Sequence, residues 1–284
     1  MKASVLVRAK NDEALVGRTL EGIFAQEGAP PFEVWVCDDA STDRTREVAA
    51  RFPVRFAEPP PGPYVPGRTL NALVRAVDGD IVVFNNSDAV PLGRDWLKEL
   101  LAPLLEAPEK ARAAFANQLP RADALAVVRR DHECAFGDGR VQATWRFFFS
   151  LASSATWRRL LVDAPFDEDI RYSEDVEWAW RNSRREREPV EVVYCPGAKV
   201  EHSHNYTLKE LARRFQGEGA ADRAIFGDKP SLARELAGAA RATLRDWAWL
   251  AGRPRNWGEF PMAPVRRLVQ RVAHWKGTRE GGGT

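Results

Sequence analysis

The chain has 284 residues, 44% hydrophobic and 29% charged, with 42 Lys/Arg against 40 Asp/Glu for a formal net charge of +2. That length can bury one large α/β core or two smaller ones, and the near-balance of charge argues against a nucleic-acid binder with a wholly basic surface. The balance hides a division: residues 205–284 hold fifteen Lys/Arg and only eight Asp/Glu, so an acidic body precedes a basic tail, which suits a metal site in the body and an anionic partner for the tail.

Cys37, Cys134 and Cys195 are odd in number and far apart, without CxxC spacing, so reduced thiols and a cytoplasmic setting are expected. The first residues already read as a strand, and no export signal is expected. The longest apolar run, 147–157, is interrupted by serines and bracketed by arginines. It falls short of the roughly 20 apolar residues that span a bilayer.

In chain order, residues 3–7 read as a parallel strand, followed by a helical period through Leu15, Leu20, Ile23 and Phe24. Residues 32–37 form a second strand ending in Asp38-Asp39, and Ser41, Thr42 and Asp43 offer N-caps for a helix over about 44–51. A short third strand is expected at 54–56. Five prolines and two glycines make 58–67 a loop, since Pro removes backbone donors and fixes φ. A helix over 68–77 then leads to 81–84, a wholly apolar, β-branched and aromatic run suited to a strand covered on both faces. Asn85-Asn86-Ser87-Asp88 follow without a gap. In an open α/β sheet, ligands sit outside the carboxyl ends of the strands, which makes this stretch the centre of the chain.

Beyond it, 96–105 is an amphipathic helix, and 113–118 and 124–129 are expected as strands of a mixed extension. Helical and extended patterns compete over 131–159. A loop at 165–175 runs into a helix over 176–187, and 190–195 alternates as a strand before Glu201-His202-Ser203-His204-Asn205. The rest is basic, tryptophan-containing and mostly helical, and a glycine tail at 281–283 is expected to be unstructured. The fold class is therefore α/β, with a doubly wound, mostly parallel Rossmann-like sheet over 1–204 and a helical extension over 205–284.

Five segments together resemble glycosyltransferase family 2, the inverting, sugar-nucleotide-dependent transferases with the glycosyltransferase A-type fold. They are residues 4–11, 33–43, 67–71, 79–88 and 173–178, each weak alone but in the family's order and spacing; the last part of the pattern, through His202 to Thr207, resembles bacterial rhamnosyltransferases. The resemblance implies nucleotide contacts from Ala9, Asn11, Asp38, Asp39, Arg68, Asn71, Asn86 and Ser87, with Asp39 accepting from a uracil- or thymine-type ring NH and Arg8 or Arg68 meeting phosphate. Lys10 stands where many relatives carry a base-stacking aromatic residue. The family's Asp-x-Asp is here Asn86-Ser87-Asp88, leaving Asp88 as the carboxylate ligand for Mg²⁺ or Mn²⁺ and His202 as a compensating ligand, with His204 expected to turn to the other face. Glu174-Asp175 matches the acidic pair, and Asp175 is the implied general base.

The implied partners are a dTDP- or UDP-sugar donor and a glycan or lipid-linked acceptor, with no nucleic acid. Trp247, Trp249, Trp257 and Trp275 among the tail arginines suggest peripheral contact with the inner face of the membrane. Two other readings stay open: a nucleotidyltransferase of similar topology, although 9–13 lacks its glycine-rich phosphate loop, and a non-catalytic sugar-nucleotide or glycan-binding module.

Overall fold

A computed structural model describes residues 1–139 and 147–280, so the glycine tail at 281–283 lies outside the described residues. The strands are β1 (Ala3–Ala9), β2 (Phe32–Asp38), β3 (Arg55–Ala57), β4 (Ile81–Asn86), β5 (Val90–Leu92), β6 (Arg112–Leu119), β7 (Ser153–Trp157) and β8 (Glu191–Glu201). The α-helices among the described residues are α1 (Val16–Phe24), α2 (Thr45–Ala49), α3 (Pro66–Ala76), α4 (Trp96–Leu105), α5 (Ala126–His132), α6 (Arg158–Asp163), α7 (Glu174–Asn182), α8 (Leu208–Phe226), α9 (Leu232–Ala251) and α10 (Met262–Glu280). The chain divides into two compact units, one of residues 1–121, 134–169 and 174–202, the other of 122–133, 170–173 and 203–284.

The first unit is built on one eight-stranded sheet, ordered β3-β2-β1-β4-β7-β6-β8-β5. From β3 to β4 every pairing is parallel, as the alternation of strand and helix requires. Strand order reverses between β1 and β4. That is the topological switch point, where the diverging connections leave a crevice above the strand ends. β4 justifies its apolar run, since Ile81, Val82, Val83 and Phe84 are all at most 1% exposed. The other half of the sheet is mixed, with β7 antiparallel to both β4 and β6, and β6 parallel to β8.

Three expectations are corrected. Residues 124–129 do not form a strand: α5 starts at Ala126, whose amide donates to both Glu259 carboxylate oxygens at 2.8 and 3.0 Å, a cap drawn from a distant part of the chain. Local β-branching at Val127 and Val128 yields to that tertiary cap. The helix expected over 176–187 starts earlier and ends earlier, as α7, so that Glu174, Asp175 and Glu177 occupy a first turn where the dipole favours carboxylates. β8 does not stop at Cys195. It continues to Glu201 through a bulge: Ala116 pairs with Cys195, but Asn117 pairs with Lys199. Pro196 and Gly197 are absorbed there, and the strand end is re-aimed.

The second unit is helical. Thr207 and Glu210 form a reciprocal capping box at the start of α8, which ends at Gly227 with φ 70°. α8 and α10 cross in near backbone contact, because a Cβ at Gly219 would stand 2.1 Å from the His274 carbonyl oxygen and one at Gly277 1.9 Å from that of Gln216. Asp246 of α9, 1% exposed, accepts from Arg267 at 2.6 and 2.9 Å and from Arg130 at 2.9 Å.

Candidate active site

The carboxyl ends of β1, β2 and β4 coincide in register, with Ala9 opposite Asp38 and Arg8 opposite Asn86. Polar residues placed just past three buried apolar strands therefore emerge together. Asn85 and Asn86 divide the work of the β4 end. Asn85 is buried and donates to the Ala89 carbonyl at 2.8 Å, folding the turn into β5. Asn86 instead accepts from Arg8 Nη2 at 3.1 Å, and Arg8 Nη1 reaches Glu174 at 3.4 Å. One guanidinium thus joins β1, the end of β4 and the start of α7.

Asp175, next in that turn, accepts from the Leu151 amide at 3.2 Å and from the Val176 amide at 2.9 Å. Burial first, then the charge of Glu174, push its carboxyl up to about 7, against the two amides and Arg8, which hold it down. Near neutral pH both its protonated and its ionised form are accessible.

Asp88 is 8% exposed. Arg121 Nη2 donates to its carbonyl at 2.7 Å and to Oδ2 at 3.1 Å, while Oδ1 faces His202 Nε2 at 3.5 Å. Nδ1 of His202 is 2.9 Å from Gln118 Oε1, and the Gln118 amide nitrogen donates to Ser150 at 2.8 Å. Gln118 Oε1 can only accept, so Nδ1–H donates to it and Nε2 is the ring nitrogen turned toward the Asp88 oxygen. The two groups face one another across 3.5 Å. A carboxylate oxygen and an imidazole nitrogen are also a donor pair that Mn²⁺ and related divalent ions accept. The expectation that His204 must turn away is withdrawn, because residues two apart on an extended chain share a face.

The β1 and β2 ends are tied to each other. Asp39 N donates to the Ala9 carbonyl at 2.9 Å, Asn11 N to Ser41 Oγ at 2.9 Å, and Thr42 N to Asn11 Oδ1 at 2.8 Å. Asn11 adopts φ 53°, a left-handed conformation that Asn tolerates better than most residues. Asp38 accepts from Ser41, and Asp39 pairs with Lys10 Nζ at 2.8 Å. Lys10, expected at a base-stacking position, is thus engaged in an ion pair. Ser87 donates to Asp12, and its amide donates to the Arg8 carbonyl at 3.0 Å.

The segment 67–71 acts on the backbone of the first unit. A Cβ at position 67 would lie 2.2 Å from the Asp167 carbonyl oxygen, so only glycine fits. Asn71, 4% exposed, exchanges two hydrogen bonds of 2.9 Å with Phe166 and donates to Glu168 at 3.0 Å. Arg68 donates to the Pro63 carbonyl. Sequence reasoning missed Arg121, Gln118 and the Leu151 amide. Gln118 had a readable signal: like Asn86, it is a polar residue at the carboxyl end of a buried apolar strand, after Ala113 to Ala116. A cavity of about 570 Å³ lies in the second unit, lined by Arg129, Trp249, Arg253, Arg255 and Asn256 among others, and contains none of the expected site residues.

Residues 4–116 match the glycosyl transferase family 2 profile. Two curated relatives align along most of their length. The O-antigen chain rhamnosyltransferase WbaN of Salmonella anatum is 27% identical over 89% of this chain and 89% of its own. RfbN of Salmonella typhimurium, also an O-antigen chain rhamnosyltransferase, is 27% identical over 97% and 96%. Among solved structures, a mannosyltransferase from Pyrobaculum calidifontis in complex with GDP-Man and Mn²⁺ superposes with a TM-score of 0.64 at 20% identity, covering 95% of this chain and 86% of that one. The sheet is thus of the glycosyltransferase A type. With the strand-end motifs, the profile match and the two long relatives in agreement, the chain carries a glycosyl transferase family 2 match over residues 4–116 and is a glycosyltransferase.

Proposed function

We propose that the first unit is the catalytic domain of a metal-dependent, inverting enzyme that moves a deoxyhexosyl or hexosyl group from a nucleoside-diphosphate sugar to a hydroxyl of a glycan or lipid-linked saccharide. The observation that carries this reading is the Arg8 guanidinium, which joins Asn86 at the β4 end to Glu174 beside Asp175. Asp175 is the general base. As the acceptor oxygen bonds to the anomeric carbon, its proton passes to Asp175 and the bond from that carbon to the diphosphate breaks, releasing the nucleoside diphosphate. Asp88 and His202 would hold Mg²⁺ or Mn²⁺, which when bound neutralises charge on the departing diphosphate. Asp38, Asp39, Ala9 and Asn11 line the nucleoside end, Asn86 and Ser87 the ribose, and Arg68 the phosphate side. Asn71 and Gly67 set the backbone on which Arg68 stands.

The rhamnosyltransferase relatives favour a dTDP-deoxyhexose as donor, with a UDP-sugar second. Release of nucleoside diphosphate across a donor panel tests the reading. Turnover with a dTDP- or UDP-sugar is expected, and it should be lost with chelator and in Asp88→Ala. Full activity in excess chelator would sink the metal assignment, and no turnover with any sugar nucleotide the transfer itself.

A further inference from the structure

Helix α9 has a covered face of mixed character and, beside it, an apolar face that is exposed. Glu235, Ala239, Asp246 and Leu250 lie on the buried side. Beside it runs an exposed arc of Leu232, Leu236, Leu244 and Trp247, exposed by 40%, 42%, 61% and 38%. These positions fall on one side of a helix of 3.6 residues per turn. Next around the wheel come Arg234, Arg241 and Arg245, all exposed. The chain that follows adds Trp257, Met262, Val265 and Leu268, so that eight of the thirteen large exposed hydrophobic residues among those described lie between 232 and 268.

The charges in this segment are sorted by depth. Its acids are Glu235, Asp246 and Glu259. Each is engaged inside the unit: Glu235 with Arg271 at 3.3 Å, Asp246 with Arg130 and Arg267, and Glu259 with the Ala126 amide. Arg234, Arg241, Arg245, Arg253 and Arg255 are left at the surface. Arg266 and Arg267, by contrast, are 9% and 8% exposed and belong to the packing of the unit.

We propose that this face of the second unit docks on an anionic lipid bilayer, the leucines and tryptophans entering the headgroup boundary while the arginines meet lipid phosphates. Charge complementarity selects that occupant. A second copy joined across a two-fold axis would bring arginine against arginine, with no exposed acid of this segment to answer them. The contact is peripheral, since no described helix is long and apolar enough to cross a membrane. The proposal extends the lipid-linked acceptor reading, but its test is read without turnover.

Flotation of the full chain with phosphatidylcholine vesicles, with and without phosphatidylglycerol, decides the matter. Binding to the anionic vesicles only, weakened by salt, is expected, with tryptophan emission quenched by brominated lipid. Both Leu236→Glu/Leu244→Glu and Arg241→Glu/Arg245→Glu should weaken binding by about tenfold or more, since the apolar and cationic contributions act together. Their nucleoside diphosphate release from a sugar nucleotide should match wild type, which separates loss of docking from loss of the catalytic reading. Absence of wild-type binding to anionic vesicles overturns the proposal. So does binding untouched by the leucine pair, or a concentration-dependent dimer that Leu244→Glu dissolves while vesicles are never bound.

Discussion

In the first unit Asp38, Asp39, Asp88, Glu174 and Asp175 stand at or just past strand and helix ends. In the second unit Asp246 is sealed inside the helices by two arginines, and the surface is left to cations and apolar side chains. The difference is one of delivery. A parallel sheet ends its buried strands along one edge, so successive acids are gathered there at the mouth of a crevice. Helices packed side by side have no such edge, and an acid on an inward face must find a cation or destabilise the fold.

The largest effect should come from the carboxyl whose hold on a proton is raised by burial and by Glu174. Asp175→Asn is expected to lower the transfer rate by a factor of about 10² to 10⁴ while leaving donor KM nearly unchanged, because the amide keeps the shape but cannot take the proton. In the parent enzyme the base form grows as pH rises through about 7, so kcat should climb with pH across that range and level off above it. Asp175→Asn should lose that limb of the profile. An unaltered rate would move the base to Glu174 or Asp169.

The sealed acid should behave in the opposite way, affecting stability and not chemistry. Asp246→Ala removes the buried carboxylate that Arg267 and Arg130 share, leaving them only the more exposed carboxylate of Asp131, and should cost about 3–5 kcal/mol in denaturant unfolding, whereas Asp246→Leu combined with Arg267→Leu should recover most of the loss. If the single change leaves the unfolding midpoint where it was, the contrast between the two units fails on the helical side.

How much of this was readable follows the same division. The parallel half was legible because strand and helix periods alternate and each strand ends in its motif. Asp38, Asn86 and Asp88 could be placed from that alone, and Glu174 from the resemblance. The mixed half was not, because β7 follows a stretch of competing patterns and α5 is capped by Glu259, more than a hundred residues away. Gly67 and Asn71 were noticed as a motif, but their work, admitting the 166–168 backbone and hydrogen-bonding to it, needs coordinates to see. Arg266 and Arg267 read as tail charges alongside Arg253 and Arg255, and only packing separates the buried pair from the exposed one.

A finer test bears on a residue one shell away from the cation. Gln118→Leu removes the acceptor that fixes the His202 tautomer, and loss of such an outer partner typically costs 10- to 100-fold in metal affinity. A Mn²⁺ titration of activity should shift to higher concentration with the plateau rate retained. A lower plateau at an unchanged midpoint would mean that Gln118 supports the β6 strand end and not the imidazole.

The smallest effect is expected at the position where this chain departs from its family's pattern. Asn86 already faces the guanidinium of Arg8 at 3.1 Å, so Asn86→Asp introduces a carboxylate beside an existing cation and needs no unpaired charge. The new acid would compete with Glu174 for Arg8, which lies 3.4 Å from Glu174, and that competition limits the gain. A second oxygen anion near Asp88 should tighten Mn²⁺ binding by a few-fold, on the order of 1 kcal/mol or less, read as a lower half-saturating Mn²⁺ concentration at constant donor. If affinity instead falls, the carboxylate has drawn Arg8 away from Glu174, and Arg8 rather than the cation is what position 86 serves. In that case Asp88→Asn should still abolish metal dependence, because its partners Arg121 and His202 are independent of Arg8.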